Sequence, residues 1–179
     1  MMLTLFLTNI FFVQAAPVPP TINGSYLRPC YIVDTDALTT RMTIQDSKWT
    51  LTHTAFEDEN CKTPYLIYEI QYKTKTESNA IDMTTVEASY TSLSDEVARS
   101  LNYIGYCGFG DWKKGVKKVV TGKMCDEYQA PASGDITYSI FTLKNDGKEL
   151  FVGTASGNAD GRTPESRYDQ VDPLPLIKQ

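Results

Sequence analysis

The sequence predicts an all-β fold, an antiparallel up-and-down β-barrel of about eight strands with one short α-helix. Apolar and polar residues alternate along most of the chain, and the alternating segments are rich in Thr, Ile, Tyr and Trp, which is typical of strands. Short connections that contain Gly, Asp, Asn and Pro separate these segments. A helical period is found in one segment, 94–102. Many strands with short connections indicate a barrel or a strongly curled sheet.

The first residues predict export from the cell. The apolar, uncharged run Met1–Val13 is followed by small residues and then by prolines. This pattern predicts a secretory signal peptide over residues 1–16 and a Pro-rich leader over residues 17–23. The run is shorter than the roughly 20 apolar residues that a membrane-spanning helix needs, so no transmembrane anchor is expected. The expected location is secreted or extracellular, and periplasmic if the source is bacterial.

The barrel domain is expected to span residues 24–153, and its first half contains four predicted strands. These strands are Gly24–Val33, Thr39–Gln45, Lys48–Phe56 and Pro64–Tyr72. Pro29 cannot donate a ladder hydrogen bond, so it indicates a bulge, an edge or a strand entry in the first strand. Asp46 and Ser47 supply a tight turn between the second and third strands. The residues from 73 to 80 are polar and are expected to form a loop.

The second half contains four more predicted strands and the helix. These strands are Ile81–Tyr90, Gly115–Thr121, Ile136–Leu143 and Glu149–Gly153. Ser94 is a suitable N-cap for a helix over residues 94–102, and Val97, Leu101 and Ile104 form an apolar stripe that would pack on the sheet. The last two strands flank a turn over residues 144–147 and predict a terminal hairpin.

Residues 154–179 form a polar, turn-rich tail. Its last part contains apolar residues at Val171, Leu174, Leu176 and Ile177. Two interpretations stay open for this segment: it docks on the barrel through these residues, or it is a loose exposed tail.

Composition limits the partners of the chain. The net charge of −5 and the isoelectric point of about 4.9 argue against nucleic acid or an anionic membrane surface. The length after the signal peptide suits one domain, and we expect a monomer.

The four cysteines follow the predicted signal peptide, and an even number in a secreted chain predicts two disulfides. Three connectivities are possible, of which we favour Cys30–Cys61 and Cys107–Cys125. The second pair closes a local loop, and the first ties the opening strand to the loop before the fourth strand. A structural zinc site needs close ligand pairs, and no CxxC pair is present, so no metal is expected. Asn23 begins an N-glycosylation sequon.

No catalytic residue and no cofactor are predicted. His53 is the one histidine, and the sequence shows neither a nucleophile elbow nor an HExxH motif beside which it would act. The acidic residues of 57–59 are expected to be solvated. The segment 156–161 is similar to a calcium loop, but Arg167 stands where the final bidentate acid should be.

Aromatic residues recur on strand faces, where they either fill the core of a small barrel or line a cup for an apolar ligand. We predict that a pocket is lined from the central strands. The predicted ligand-binding residues are Trp49, Leu51, His53, Tyr68, Ile70 and Arg41. Arg41 has a second interpretation, in which it points to water or forms a structural salt bridge.

The chain resembles two groups of secreted proteins. Gly24-Ser25-Tyr26 is similar to the Gly-x-Trp opening of lipocalins, with Tyr in place of Trp. The run of Cys30, Arg41, Trp49, His53, Asp58, Cys61, Pro64 and Tyr65 resembles the domain of the extracellular Wnt inhibitors called adenomatosis polyposis coli down-regulated. The segment 108–112, Cys125 and the tail are similar to uncharacterised bacterial secreted proteins of lipocalin type. These resemblances imply a curled antiparallel barrel with an apolar pocket and a binding role rather than catalysis.

Three functions are therefore considered. The first is a secreted, non-catalytic binding protein for a small apolar or amphipathic, lipid-like ligand. The second is a secreted protein–protein interaction module, an inhibitor or adhesin, whose core is filled. The third is a hydrolase or isomerase built on the barrel, which would require a perturbed carboxylate or histidine in a cleft.

Overall fold

The computed structural model describes residues 22–179. The predicted signal peptide and residues 17–21 of the predicted leader lie outside the described residues. The elements are β1 (Gly24–Val33), β2 (Asp36–Gln45), β3 (Lys48–Phe56), β4 (Pro64–Glu77), β5 (Ala80–Ser92), α1 (Asp95–Tyr103), a 3₁₀ turn (Tyr106–Gly108), β6 (Lys117–Val119), β7 (Met124–Cys125), β8 (Tyr128–Gln129), β9 (Ile136–Lys144), β10 (Glu149–Thr154), β11 (Gln170–Val171) and β12 (Leu176–Lys178).

Eight of these strands close into an antiparallel barrel, as the sequence predicts. The order around the barrel is β1-β2-β3-β4-β5-β9-β10-β12, and β12 pairs again with β1. The closing contacts place Tyr26 opposite Lys178 on one side of β12 and Leu150 opposite Leu176 on the other. Closure leaves each barrel strand with two neighbours, which removes the open edge of a flat sheet.

The eighth strand is not the one that the sequence predicts. The predicted strand over 115–121 shrinks to the three residues of β6, which pairs with the end of β5 and stands outside the barrel cycle. The barrel is completed instead by β12, so the boundary predicted at residue 153 is too early. Leu176 is only 1% exposed, because its side chain enters the core between β1 and β10. The segment 154–179 therefore docks, and the interpretation as a loose tail is wrong.

A bulge in β1 decides which side chains enter the barrel. Arg28 lies opposite Thr40, but the next pair is Tyr31 with Leu38, so β1 carries one extra residue at Pro29-Cys30. Residues three apart point to opposite faces of a regular strand. The extra residue restores the inward direction, so that Arg28 and Tyr31 both face the interior. The bulge is one of the three alternatives that Pro29 indicated.

The hairpin of β4 and β5 is longer than predicted. The region from 73 to 80, expected to be a loop, continues both strands, and the turn consists of Ser78 and Asn79. Ser78 has a positive φ of 58° there. The polar residues of this region include Thr74 and Thr76, and β-branched Thr is well suited to a pleated sheet. Polarity alone was therefore a poor signal for a loop.

The insertion between β5 and β9 covers one side of the barrel. Ser94 caps α1, and its hydroxyl accepts a hydrogen bond from the Val97 N–H at 3.1 Å, as predicted. The predicted stripe is partly wrong, because Ala98 and Leu101 are the buried residues of the helix. Ile104 lies beyond the last helical turn and is 64% exposed. The small side chain of Ala98 allows the helix to approach its neighbours closely.

Both disulfides have the predicted connectivity. Cys30 and Cys61 join the bulge of β1 to the loop before β4, with 5.7 Å between their Cα atoms. Cys107 and Cys125 join the 3₁₀ turn to β7 across 4.1 Å. Both separations are near or within the range that disulfides require. The bridges restrain the two irregular parts of the fold, the bulged strand and the insertion.

Two clusters of buried side chains form the core. One cluster fills one end of the barrel around Tyr26, Trp49 and Leu150. The other lies between the sheet and the insertion and contains Tyr90, Trp112 and both cysteines of the second disulfide. Leu51 and Tyr72 pack against both clusters.

Residues 155–169 fill a gap in the barrel wall. The ladder between β9 and β10 stops after Phe141 and Val152. Beyond that point the N–H of Tyr138 donates to the Gly161 carbonyl at 2.8 Å, and its carbonyl accepts from the Tyr168 N–H at 3.1 Å. A Cβ added to Gly161 would lie 2.8 Å from the ring of Tyr168. The absence of a side chain there lets the Tyr168 ring lie flat over the gap.

Arg167 fastens this segment to the barrel. Its guanidinium donates to the carbonyls of Ile81 and Ser139 at 3.0 and 2.9 Å. It also forms an ion pair of 2.7 Å with Asp82. Because these contacts reach both β5 and β9, one side chain joins the docked segment to two barrel strands.

Candidate ligand-binding site

The barrel contains a cavity of about 280 Å³ between the two core clusters. Its apolar lining includes Met42, Leu51, Met83, Val152 and Leu176. These side chains come from five different barrel strands, so the cavity lies against the inner face of the barrel wall and is partly open to solvent. Engineered cavities of about 150 Å³ hold benzene, so this volume corresponds by proportion to a ligand of about eleven non-hydrogen atoms.

Five of the six predicted ligand-binding residues share the inward face of β3 and β4. In the register of the two strands, Leu51 lies opposite Ile70 and His53 lies opposite Tyr68. Leu51 and His53 line the cavity directly. Trp49 is 2% exposed and belongs to the buried cluster around Tyr26 and Leu150, next to the cavity. The structure therefore brings these five residues to one face, but it places two of them at the cavity wall and three in packed layers.

Arg41 does not join them. It lies opposite Thr52 on the outer face, while its neighbour Thr40 faces inward opposite His53. Its guanidinium is exposed and donates to the Ser25 hydroxyl at 2.8 Å. Arg41, a predicted ligand-binding residue, does not line this cavity, because the strict alternation of β2 directs its side chain away from it. The second interpretation, a solvent-facing arginine, describes its position.

A chain of three polar side chains forms one wall of the cavity. The hydroxyls of Tyr31 and Thr40 are 2.7 Å apart, and the Thr40 hydroxyl is 2.8 Å from Nδ1 of His53. Each hydroxyl both donates and accepts, so the chain is compatible with a proton on either nitrogen of the imidazole. Nε2 of His53 has no hydrogen-bond partner among residues 22–179. It can therefore serve either as a donor or as an acceptor for a molecule in the cavity.

The electrostatic surroundings keep His53 uncharged. Burial lowers the pKa of His53, and the positive charge of Arg28 lowers it further. Both effects disfavour the imidazolium form. At neutral pH the ring is a neutral hydrogen-bonding group.

An ion pair closes the same wall. Arg28 lies in β1 with its side chain 11% exposed, and its Nη1 is 2.8 Å from the carboxylate of Asp172. Its Nη2 donates to the carbonyl of Leu174. Asp172 is itself held by its backbone N–H, which donates to the Val152 carbonyl at 2.8 Å. The cavity wall is therefore built in part by the docked segment 154–179.

One polar atom of this wall is left without a partner. Nε of Arg28 is buried and makes no hydrogen bond within the described part of the chain. A buried donor that is left unsatisfied costs about 1–3 kcal/mol relative to one that is paired. The atom is shielded by its neighbours, so it does not face the cavity although other atoms of Arg28 do.

Stacked aromatic rings form the boundary of the cavity toward the insertion. The ring of His53 is parallel to that of Tyr68 within 11°, at 6.5 Å between centroids. Tyr68 stacks in turn on Tyr90 at 4.5 Å, and its hydroxyl is 3.0 Å from that of Tyr128. Burial is the largest cause that raises the pKa of Tyr68, so this phenol stays neutral. The stack holds the imidazole plane and fixes the direction of Nε2.

A second depression lies outside the barrel, on β2, β3, β4 and β5. It is a groove of about 630 Å³ that includes Thr43, Thr50, Gln71 and Val86. The groove is larger than the inner cavity, but polar side chains and lysines form much of its lining. Within residues 22–179, the two buried side-chain atoms without a hydrogen-bond partner are Nε of Arg28 and Oγ1 of Thr74, and neither residue lines the groove. Its chemistry is that of a solvated sheet face.

Among the polar residues of the cavity wall, His53 was predicted from the sequence, but Arg28, Tyr31 and Asp172 were not. The strand pattern already contained a signal for Arg28, since it lies two residues after Tyr26 and therefore shares its face. Tyr31 could not be found in this way, because its direction depends on the bulge. Asp172 had no local signal, since it reaches the cavity only through the docking of the tail.

Comparisons with known proteins leave the family open. No protein-family model matches the chain, and no curated protein matches it significantly. The resemblances to lipocalins and to the extracellular Wnt inhibitors stay predictions. Within residues 22–179, no helix is long and apolar enough to cross a membrane. The same residues gather no group of three or more His, Cys, Asp or Glu side chains that could hold a metal ion.

Proposed function

We propose that this chain is a secreted, non-catalytic binding protein that holds one small amphipathic molecule inside its barrel. The observation that carries the proposal is the cavity of about 280 Å³, which combines an apolar lining with the hydrogen-bonding imidazole of His53. Ligand sites in proteins are mostly apolar with a few placed polar groups. Secretion is supported by the apolar first residues and by the two disulfides.

The size of the cavity limits the affinity. A ligand with about ten buried methylene-sized groups gains about 8 kcal/mol from apolar burial. Association costs at least about 4 kcal/mol in lost freedom, which leaves a Kd of about 1 mM. A hydrogen bond to Nε2 of His53 adds about 0.5–1.5 kcal/mol and brings the Kd to about 0.1–0.4 mM. Binding experiments must therefore extend to millimolar ligand.

The first experiment is native mass spectrometry of the protein from its own source, before and after organic extraction. A mass excess that disappears on extraction supports a carried ligand, and its mass identifies the class. The extracted protein is then titrated with 2-decanone, a flexible molecule with the eleven non-hydrogen atoms to which the cavity volume corresponds.

Two matched variants locate the binding. Val152→Phe places a ring in the cavity, whereas Val86→Phe makes the same change on the outer groove, where Val86 is 51% exposed. We expect Val152→Phe to abolish binding and Val86→Phe to leave it unchanged. The opposite pattern would place the ligand outside the barrel and refute the proposal. Met83→Phe, also at the cavity wall, replaces Val152→Phe if that variant does not fold.

A further inference from the structure

The two disulfides differ in their exposure to solvent. Cys30 is exposed and Cys61 is half-buried. Cys107 and Cys125 are 4% and 1% exposed, and both lie in the core cluster between the sheet and the insertion. A reductant must bring a thiolate into contact with one sulfur of the bridge, and exposed disulfides are generally the labile and regulatory ones. The Cys30–Cys61 bridge is therefore the one that an external thiol can reach.

The exposed bridge is attached to the part of β1 that contributes to the cavity wall. Cys30 belongs to the bulge between Arg28 and Tyr31, and both of these residues line the cavity. β12 pairs with β1 only ahead of the bulge, so within residues 22–179 the segment after the bulge has a single neighbouring strand, β2. The disulfide supplies a second attachment for this segment.

The other end of the bridge lies in a firmly held loop. The carboxylate of Asp58 accepts hydrogen bonds from the N–H groups of Lys62 and Thr63 at 3.1 and 2.7 Å. A further bond joins the N–H of Glu57 to the Thr63 carbonyl at 3.0 Å and closes the loop. These bonds lie within the loop and do not depend on the bridge. Opening the bridge therefore frees the bulge of β1 rather than the loop.

The polar wall of the cavity depends on the place where the bulge holds Tyr31. The Tyr31 hydroxyl is 2.7 Å from that of Thr40, which lies 2.8 Å from Nδ1 of His53. Tyr31 faces inward because β1 carries an extra residue at this point. Relaxation of the bulge would turn the phenol outward and open the wall beside His53 to water.

This inference rests on the proposed function and concerns its regulation. We propose that the Cys30–Cys61 disulfide is a redox switch for ligand binding, in which the cavity holds its ligand while the bridge is closed and releases it when an extracellular dithiol opens the bridge. One thiolate of the dithiol attacks a sulfur of the bridge, and its second thiol then displaces the remaining cysteine. Two electrons and two protons pass to the protein, which gains two thiols, and the dithiol leaves as a cyclic disulfide. The buried Cys107–Cys125 bridge keeps the insertion in place throughout.

The first test asks which bridge opens. The purified protein is incubated with increasing dithiothreitol, its free thiols are alkylated with iodoacetamide, and the labelled peptides are assigned by mass spectrometry. We expect Cys30 and Cys61 to react at a dithiothreitol concentration at least about tenfold below that needed for Cys107 and Cys125. Simultaneous opening of both bridges, or earlier opening of the buried one, overturns the proposal.

The second test measures binding when only the exposed bridge is open. We expect the affinity for 2-decanone, from calorimetric titration, to fall at least about fivefold, and reoxidation to restore it. The protein should stay folded, as judged by the fluorescence of Trp49 and Trp112, and global unfolding in this state contradicts the switch. An unchanged affinity overturns the switch and leaves the proposed function standing. Failure of both forms to bind 2-decanone, with no extractable mass in the native protein, overturns the proposed function and the switch with it.

The single histidine supplies a readout that needs no ligand. Burial lowers the pKa of His53 in the closed form, so hydration of the opened wall should raise this pKa toward its ordinary value. An NMR titration of the oxidised and reduced proteins measures the difference. Identical pKa values in the two forms would show that the bridge does not control the cavity wall.

A variant repeats the test without a reductant. Cys30→Ser combined with Cys61→Ser should bind 2-decanone as weakly as the reduced protein, and the lower dithiothreitol concentration should weaken it no further. A further loss of affinity would place the action of the reductant elsewhere and contradict the proposal. The comparison of oxidised and reduced native protein needs no variant, so the test holds if this variant fails to fold.

Discussion

Replacing Leu176 by Ala should destabilise the barrel by about 3.5 kcal/mol. The change removes three carbon atoms from a side chain that is 1% exposed, which corresponds to about 2.4 kcal/mol of lost burial. Leu176 borders the existing cavity, so its surroundings collapse poorly, and a residual void of about 50 Å³ adds about 1.2 kcal/mol. For a domain of this size the melting temperature should fall by about 7–14 °C.

Leu174→Ala is the matched control. Leu174 lies two residues earlier, is 52% exposed, and contributes its backbone carbonyl, which the substitution retains, to Arg28. Exposed substitutions usually change stability by less than about 0.5 kcal/mol. Urea unfolding followed by tryptophan fluorescence measures both variants, since Trp49 lies in the same core cluster as Leu176. Equal stabilities for the two variants would refute the role of β12 as a barrel strand.

Three further changes test other parts of the fold. Replacing Cys107 and Cys125 by Ser should lower the free energy of unfolding by about 3 kcal/mol, given the separation of 18 residues, and a comparison of urea midpoints checks it. Ser94→Ala should cost about 1 kcal/mol through loss of the cap, whereas Ser94→Asp should restore most of it. The pKa of His53 is lower in the fold than its ordinary value, so the unfolded chain binds the proton more readily. Stability should therefore fall as pH decreases through about 6.5 and level off below the folded pKa. This fall should be smaller in His53→Gln, and identical pH profiles would show that His53 is not buried in this way.

The strands could be predicted because alternation is a local property. The inward positions of Trp49, Leu51 and His53 follow from counting along β3, and pairing with β4 then adds Tyr68 and Ile70 to the same face. Counting residues along a strand does not predict side-chain direction where the hydrogen-bond ladder contains a bulge. The inward direction of Tyr31 depends on the extra residue in β1, and neither its pairing nor its face can be obtained from a regular period.

The polar half of the site depends on contacts between distant parts of the chain. Asp172 and Arg28 are separated by most of the barrel, and they meet only because β12 pairs with β1. The tail is polar and rich in turns, so its local sequence does not predict a strand. Its docking is explained by the burial of Leu176 and by the anchoring of Arg167, and both require the assembled barrel.

Because the first and last strands pair to close the barrel, a separate peptide could replace the last strand in a shortened chain. Tyr26 lies opposite Lys178, so the free edges of β1 and β10 persist until the very end of the described chain is in place. Such edges can also pair with a strand from another molecule. A chain shortened after Asp172 should thus capture a synthetic peptide of residues 173–179, and its melting temperature should rise with peptide concentration. The same edges would also accept the last strand of a neighbouring copy, which provides a simple route to strand-swapped dimers at high protein concentration.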